Sequence, residues 1–161
     1  MELFVKLSEK LGELALEQKA VIATAESCTA GGIACAITQI PGSSEWFDRG
    51  FVTYSNQSKE DLLGVDHETL LSHGAVSAET VSEMVLGALA RSAATMAVAV
   101  SGIAGPGGAV PGKPVGTVYV AWCRKGESPI VERCHFGGDR NAVRESTIKR
   151  ALDGLCELLN A

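Results

Sequence analysis

The sequence is poor in aromatic residues and lacks a net positive charge, paired cysteines and long apolar runs. Phe, Trp and Tyr make up 5% of the 161 residues, so the core must be built mainly from alanine and aliphatic side chains. The net charge of −5 excludes a broad basic surface, and we therefore expect no nucleic-acid partner. Since no apolar stretch is long enough to cross a bilayer without a charge or a glycine, we expect no membrane partner either.

The cysteine pattern argues against disulfides and against a metal site. Five cysteines are spread along the chain, and no two of them form a Cys-x-x-Cys pair. An odd and dispersed set of this kind is typical of free thiols in a reducing compartment. The first residues also lack the basic and apolar segments of a secretory signal, so we expect a cytoplasmic protein. The three histidines show no metal-ligand spacing, and we expect neither metal nor cofactor.

The sequence does contain an ordinary globular balance, with 46% hydrophobic and 20% charged residues. Its periodicity predicts short buried strands and amphipathic helices. In chain order we expect a helix through 3–16, a strand over 21–25, a small-residue helix ending near 38, a strand over 51–54, helices over 57–63 and 78–91, strands over 96–100, 115–122 and 130–136, and a helix from 140 to 159. Asn56, Ser77 and Asp139 are the predicted N-caps.

The order of these elements predicts the fold class. Strands alternate with helices early in the chain, and a hairpin follows late, which favours a mixed sheet covered on both faces. We therefore expect an α/β protein, a single domain over 1–161 built as a three-layer α/β/α sandwich.

Ser27 lies where the first predicted strand turns into a helix. Backbone N–H groups at a helix start favour negative charge, so a serine here has the surroundings that an oxyanion needs. By position alone, however, the commoner role of such a serine is to cap the helix. Cys28 is a rival nucleophile, because a thiol at a helix start can have a lowered pKa. Its more ordinary interpretation is a small buried hydrophobe.

A serine nucleophile needs a base, and no histidine is flanked by a pattern that marks one. Lys59 falls in the first turn of the helix predicted over 57–63, where the helix dipole would lower the pKa of its amine. A neutral lysine is a suitable base. The alternative is a solvated surface lysine paired with a neighbouring carboxylate. Tyr54, five residues earlier, fits either a contact with Lys59 or substrate, or an ordinary strand aromatic.

Two further segments are candidates for binding phosphate. The run from Ser101 to Gly108 follows an apolar strand, and Gly102 and Gly105 would let backbone N–H groups approach an anion. It matches neither a Walker loop nor a dinucleotide fingerprint, and an irregular loop is an equal alternative. Arg140 and Arg144 lie four apart on one face of the last helix, which suits either a phosphate clamp or plain surface charge.

Seven blocks of the sequence, in order, resemble the CinA carboxy-terminal domain family. They cover nearly the whole chain and lie at 25–29, 41–44, 50–56, 73–77, 101–106, 113–118 and 138–140. The resemblance implies hydrolysis of the carboxamide of nicotinamide mononucleotide, giving nicotinate mononucleotide and ammonia, by a metal-free serine–lysine pair. It implies Ser27 as the nucleophile, Lys59 as its base and Tyr54 as a supporting catalytic residue.

The same resemblance extends to the substrate and its contacts. The partner it implies is nicotinamide mononucleotide. For this substrate we expect N–H groups near Thr29 to hold the oxyanion, and the glycine-rich run or Arg140 to hold the phosphate. The substrate-binding residues expected on this basis are Thr29, Ser101, Gly102, Gly105, Arg140 and Arg144. The family also suggests a homodimer.

Two positions depart from the family's pattern. Ala30 stands where relatives often have the first of two glycines, so we expect slightly less backbone room beside the substrate. Gly107 stands where relatives often have aspartate, so no ligand contact through that carboxylate is expected. Two other functions stay open on the residues alone: a domain that binds a pyridine nucleotide or a similar phosphate ligand without turning it over, and an amidohydrolase of another small amide.

Overall fold

The computed structural model describes residues 2–161, and within them one sheet with helices on both faces forms the protein. The strands are β1 (Ile22–Glu26), β2 (Phe47–Val52), β3 (Met96–Gly102), β4 (Thr117–Arg124) and β5 (Ile130–His135). The α-helices are α1 (Val5–Gln18), α2 (Gly32–Thr38), α3 (Asn56–Leu63), α4 (His67–His73), α5 (Ala78–Ala90) and α6 (Arg140–Asn160). The sheet order is β2-β1-β3-β4-β5.

The sheet is mixed, as the sequence predicts. β1 runs parallel to both β2 and β3, whereas β4 runs antiparallel to β3 and to β5. Helices α1, α2 and α6 share one hydrophobic core with one face of the sheet, and α5 shares a second core with the other face. The predicted α/β class and the three-layer α/β/α arrangement are confirmed.

The two faces of the central strands differ in side-chain size. Along β3, Met96, Val98 and Val100 point into the core under α1, α2 and α6, and the alternate residues Ala97 and Ala99 point toward α5. Alanine side chains let a helix approach a sheet closely. Helix α5 also packs closely against α3, because a Cβ atom added to Gly87 would lie 2.0 Å from the carbonyl oxygen of Leu63. The α5 face therefore fixes the position of α3 tightly.

Capping residues set most of the helix starts. Ser77 and Asp139 cap α5 and α6 through Thr80 N–H and Ala142 N–H, as predicted. The predicted cap Asn56 is wrong: Ser55 caps α3 by accepting from the N–H of Ser58, which moves the helix start back by one residue.

Strand β2 also differs from its predicted range of 51–54. It begins at Phe47 and ends at Val52, because it pairs with β1 along that whole length. The segment that contains Tyr54 therefore lies beyond the strand. Pairing of this kind depends on the neighbouring strand and is not visible in local hydrophobicity.

Candidate active site

A cavity of about 280 Å³ opens at the edge of the sheet where the three parallel strands end. The residues that line it come from the ends of β1 and β3, from the segments after β2 and α4, and from the first turn of α6. They are Ser27, Cys28, Tyr54, Asn56, Lys59, Ala75, Val76, Ser101, Gly102, Ile103, Ala104, Gly105, Gly107 and Arg140.

The topology explains why a cavity forms there. From β1 the chain passes through α2, on one face, to β2; it then returns through α5, on the other face, to β3. The connections therefore diverge at the carboxyl end of β1, leaving a crevice at that point. Ser27 is the first residue after β1, so the sheet itself delivers this side chain to the crevice.

Ser27 is not a helix cap, and in this respect the sequence-based alternative is wrong. Helix α2 begins only at Gly32, with Gly31 as its N-cap, so a turn of residues 27–31 separates the serine from the helix. The N–H of Ser27 instead donates to the carbonyl of Val100 at 3.2 Å, which continues the pairing of β1 with β3. The side chain is 8% exposed and faces the cavity.

The side chain of Glu26, at the end of β1, binds the N–H groups at the start of α2. No role for this residue is predicted from the sequence. Its carboxylate accepts hydrogen bonds from the N–H groups of Ile33 and Ala34 at 2.8 and 3.0 Å. The free donors of this helix start are therefore already satisfied. One signal in the sequence was available: Glu26 is a charged residue at the end of a strand that is otherwise apolar apart from Thr24.

Lys59 reaches Ser27 from α3. Its Nζ lies 3.1 Å from the Oγ of Ser27, 2.8 Å from the carbonyl oxygen of Thr53 and 3.4 Å from that of Tyr54. The whole residue is 1% exposed. Ser27 and Lys59, 32 positions apart in sequence, are thus brought within hydrogen-bonding distance, as a nucleophile and its base require.

Burial lowers the pKa of the Lys59 amine to about 8. The predicted direction is therefore confirmed, but its predicted cause, the helix dipole, is not the dominant one. The alternative of a surface lysine paired with a neighbouring carboxylate is wrong: Glu60 lies 3.0 Å from His67, and Asp61 accepts from Gln57. No carboxylate of residues 2–161 forms an ion pair with Lys59.

Tyr54 contributes two different groups to the site. Its carbonyl oxygen faces Lys59, while its hydroxyl accepts a hydrogen bond of 2.9 Å from Arg140. The predicted contact between Tyr54 and Lys59 thus exists through the main chain. Arg140 also donates to the carbonyl of Gly105 at 2.8 Å, so it joins the tyrosine to the glycine-rich loop across the mouth of the cavity.

Thr29 and Arg144, both predicted to bind substrate, do not line the cavity. The side chain of Thr29 is fully buried and its hydroxyl donates to Glu26 at 2.6 Å. Arg144 donates to the carbonyl of Thr29 at 3.2 Å. The two predicted arginines therefore bind different partners, Arg140 at the cavity and Arg144 at the turn of residues 27–31.

The predicted glycine-rich segment forms one wall of the cavity through Ser101, Gly102 and Gly105. Two of these glycines are required by packing, since an added Cβ would lie 2.5 Å from Val118 at Gly102 and 2.5 Å from Val115 at Gly105. Gly105 also has a φ of +83°. The N–H groups of Ala104 and Gly105 donate to no acceptor within residues 2–161, so they are available to a ligand.

The two departures from the family pattern differ in consequence. Ala30 is exposed and has a φ of +49°, a conformation that favours glycine. The alanine therefore strains the backbone of the turn and does not narrow the cavity. At Gly107 an added Cβ would meet nothing within 4 Å, so a side chain has space there.

Cys28, the rival nucleophile, also lines the cavity but is buried, with 5% of its surface exposed. Burial, helped by the charge of Glu26, raises the pKa of its thiol to about 11. A thiol in this state is almost wholly protonated at neutral pH and is a poor nucleophile.

Other chemical groups stand apart from the cavity. His67, His73 and His135 do not line it. Within residues 2–161, no group of three or more His, Cys, Asp and Glu side chains is placed to hold a metal ion. No helix in the same range has the length and apolar character needed to cross a membrane.

The chain is similar to a known protein family over almost its whole length. The model of the CinA C-terminal domain family matches residues 5–159. The nicotinamide-nucleotide amidohydrolase PncC of Pseudomonas putida is 53% identical over 158 residues, which are 98% of each chain. The enzyme of the same name from Escherichia coli K12 is 50% identical over 151 residues, covering 94% of this chain and 92% of that protein.

Solved structures agree with the fold. The competence/damage-inducible protein of Agrobacterium tumefaciens superposes with a TM-score of 0.94 at 44% identity, covering 98% of this chain and 96% of that one. The competence damage-inducible protein A of Klebsiella pneumoniae gives a TM-score of 0.94 at 38% identity, covering 98% and 97%.

Proposed function

The chain belongs to the CinA C-terminal domain family, and we propose that it hydrolyses nicotinamide mononucleotide with Ser27 as nucleophile and Lys59 as base. Activity as a nicotinamide-nucleotide amidohydrolase is that of the relatives 50–53% identical over almost their full length. The reaction releases ammonia from the carboxamide and leaves nicotinate mononucleotide. The Ser27–Lys59 contact inside the cavity is the observation that carries the proposed mechanism.

The surroundings of Lys59 suit a neutral amine that acts as a base. A neutral amine has two N–H groups and one lone pair. The carbonyl oxygens of Thr53 and Tyr54 accept the two N–H groups, at 2.8 and 3.4 Å, which leaves the lone pair for the hydroxyl of Ser27 at 3.1 Å. This arrangement aligns the serine proton with its acceptor before substrate arrives.

The turn after Ser27 offers donors for the oxyanion. The N–H groups of Cys28 and Thr29 donate to no other residue within 2–161, whereas those at the start of α2 are occupied by Glu26. Negative charge that develops on the amide oxygen is stabilised by fixed donors of this kind. Of these two residues only Cys28 lines the cavity; Thr29 is fully buried, and its side chain is committed to Glu26.

The phosphate of the substrate is proposed to lie between Arg140 and the glycine-rich loop. Arg140 lines the cavity, carries a permanent charge and donates to the carbonyl of Gly105, and the N–H groups of Ala104 and Gly105 have no other acceptor within residues 2–161. Ser101 and Gly102 also line the cavity. The hydroxyl of Tyr54 accepts from Arg140, which leaves its own proton for the substrate.

The chemical steps follow from these positions. Ser27 Oγ attacks the amide carbon as its proton passes to Lys59 Nζ, and the tetrahedral intermediate collapses by breaking the C–N bond. Lys59 returns the proton to the leaving nitrogen, which departs as ammonia. Water then attacks the acyl ester, gives a proton to Lys59, and the bond to Ser27 breaks as that proton returns to Oγ.

A substrate panel tests the proposed function directly. Purified protein is given nicotinamide mononucleotide, nicotinamide riboside or nicotinamide, and ammonia release is followed with a coupled assay. We expect the kcat/KM of the nucleotide to exceed that of the riboside by at least about 100-fold, because only the nucleotide can pair with Arg140. Equal turnover of nucleotide and riboside would contradict the phosphate site.

Two other functions share part of this site. A domain that binds a pyridine nucleotide without hydrolysing it would use the same arginine and loop, and binding of the nucleotide with no ammonia release would support it. An amidohydrolase of another amide would release ammonia only from that compound. The close Ser27–Lys59 contact favours catalysis over binding alone, since a binding site has no need of a buried amine beside a serine.

A further inference from the structure

We propose that Glu26 is a positioning residue for the nucleophile: its buried carboxylate locks the turn of residues 27–31 so that Ser27 and the free N–H groups of that turn keep their places. The inference rests on the proposed function, in which Ser27 attacks and this turn holds the oxyanion. Glu26 neither touches the reacting atoms nor lines the cavity.

Both oxygens of the Glu26 carboxylate are fully hydrogen-bonded. It is 1% exposed and accepts four hydrogen bonds, two at each oxygen. Oε1 accepts from Thr29 Oγ1 at 2.6 Å and from the N–H of Ile33 at 2.8 Å. Oε2 accepts from the N–H of Ala34 at 3.0 Å and from Thr24 Oγ1 at 3.3 Å. One side chain therefore connects β1, the turn and α2.

The turn needs such a connection because its backbone is locally unfavourable. Ala30 has a φ of +49° and Gly31 a φ of +93°, so two successive residues lie in the left-handed region. A non-glycine residue there costs about 1 kcal/mol or more. The bond from Thr29 to Glu26 fixes the residue just before Ala30, and Arg144 holds the carbonyl of the same threonine. Thr29 is thus fixed by both its side chain and its carbonyl.

A carboxylate is required, and an amide of the same shape does not replace it. Both oxygens of Glu26 receive a backbone N–H of α2. In Glu26→Gln one of these N–H groups faces the amide nitrogen, whichever way the amide is oriented, and two donors then oppose each other. The buried N–H loses its partner, and the turn loses its connection to the helix.

The test compares Glu26→Gln and Thr29→Val with the matched variant Thr24→Val. Thr29→Val removes the bond to the turn, and Thr24→Val removes a bond to the same carboxylate from the strand side. For the first two variants we expect kcat for nicotinamide mononucleotide to fall at least about tenfold, with KM changed less than threefold, because misplaced groups mainly impair the chemical step. The rise of kcat/KM with pH that reports Lys59 should keep its midpoint. Thr24→Val should keep kcat within about twofold.

A second measurement separates this inference from the proposed function. Labelling of Ser27 by phenylmethanesulfonyl fluoride, followed by mass spectrometry, needs no ammonia release. We expect the parent protein to be labelled and Glu26→Gln and Thr29→Val to be labelled at least about tenfold more slowly. If Glu26→Gln or Thr29→Val, folded by circular dichroism, keeps the parent kcat and labelling rate, the positioning role is overturned while the nucleophile stands. If the parent is unlabelled and Ser27→Ala still releases ammonia, the proposed mechanism fails instead.

Discussion

The parallel and antiparallel halves of the sheet differ in what lies at their ends. Strands β1, β2 and β3 end at one edge, and the residues that follow them include Ser27 and the segment that carries Lys59. Strands β4 and β5 form a hairpin whose tip lies at the opposite edge, and their contacts are structural: Trp122 donates to the carbonyl of Ala151, and Glu132 pairs with Arg150.

The difference shows how a mixed sheet divides its tasks. Parallel strands bring several carboxyl ends to one crevice, which is where a site can be assembled from distant parts of the chain. The antiparallel hairpin completes the sheet and supports the glycine-rich loop, since the carbonyl of Thr117 accepts from the N–H of Ile103. Changes in the first half should therefore affect chemistry, and changes in the second should affect stability.

The largest expected effect is that of Ser27→Ala, in the parallel half. It should lower kcat by at least about 10³-fold, since removal of a nucleophile eliminates the covalent route, while the melting temperature changes little. The neighbouring variant Cys28→Ala should retain most of the activity, because its thiol is protonated. Ammonia release and thermal unfolding measure the two effects. Full activity in Ser27→Ala would contradict the assignment of the chemistry to the parallel half of the sheet.

Lys59→Met should lower kcat nearly as much, by about 10³-fold, because the two residues act as a unit. In the parent, kcat/KM should rise with pH through about 8, since only the neutral amine accepts the serine proton. A pH profile that is flat between 6 and 9 would argue for another base.

The same lysine predicts a pH dependence of stability. Burial lowers the pKa of Lys59 in the folded protein to about 8, whereas in the unfolded chain it is about 10.4. Between these values the unfolded chain binds one more proton, so the free energy of unfolding should rise with pH across that window. Below about pH 8 the buried amine is protonated, and the folded protein bears the full cost of burying its charge. Urea unfolding of the parent and of Lys59→Met across pH 7–10 should show the rise in the parent alone.

Gly154→Ala tests the other half. A Cβ atom at this position of α6 would lie 2.1 Å from the ring of Trp122 in β4, so the helix or the ring must move. We expect a loss of about 1–3 kcal/mol in the free energy of unfolding, which is usual for overpacking. The kcat of the folded protein should stay within about twofold. Glu145→Ala, at an exposed position of the same helix, is the control and should change stability little.

The smallest expected effect is that of Ala30→Gly. Glycine adopts the φ of +49° without strain, and this gain exceeds the added entropy of the unfolded chain only slightly. The free energy of unfolding should therefore rise by up to about 1 kcal/mol. A decrease would show that the turn is not strained at this residue and would count against the positioning role of Glu26.

Much of this arrangement could be predicted from the sequence, because it depends on local patterns. Hydrophobic periodicity and caps such as Ser77 and Asp139 predict the helices, and apolar runs predict β1 and β3. The start of β2 could not be predicted, since it is set by pairing with β1.

The site was less predictable than the fold. The family resemblance predicts that Ser27 and Lys59 act together. The position of Lys59 in a first helical turn, however, predicts that the helix dipole lowers its pKa. Its burial is the actual cause, and burial depends on tertiary packing that local position does not show. Glu26 was missed for a similar reason: its four partners lie in three different elements, and no short motif records them.

The burial of Cys28 has a consequence for the conditions under which the enzyme works. A protonated and buried thiol reacts slowly with peroxide and with alkylating reagents, even though it lies next to Ser27. With Ser27 as the proposed nucleophile, hydrolysis should therefore continue under oxidative stress that inactivates many cysteine hydrolases. Activity should survive iodoacetamide or dilute hydrogen peroxide, which would let the protein process nicotinamide nucleotides while the redox balance of the cell is disturbed.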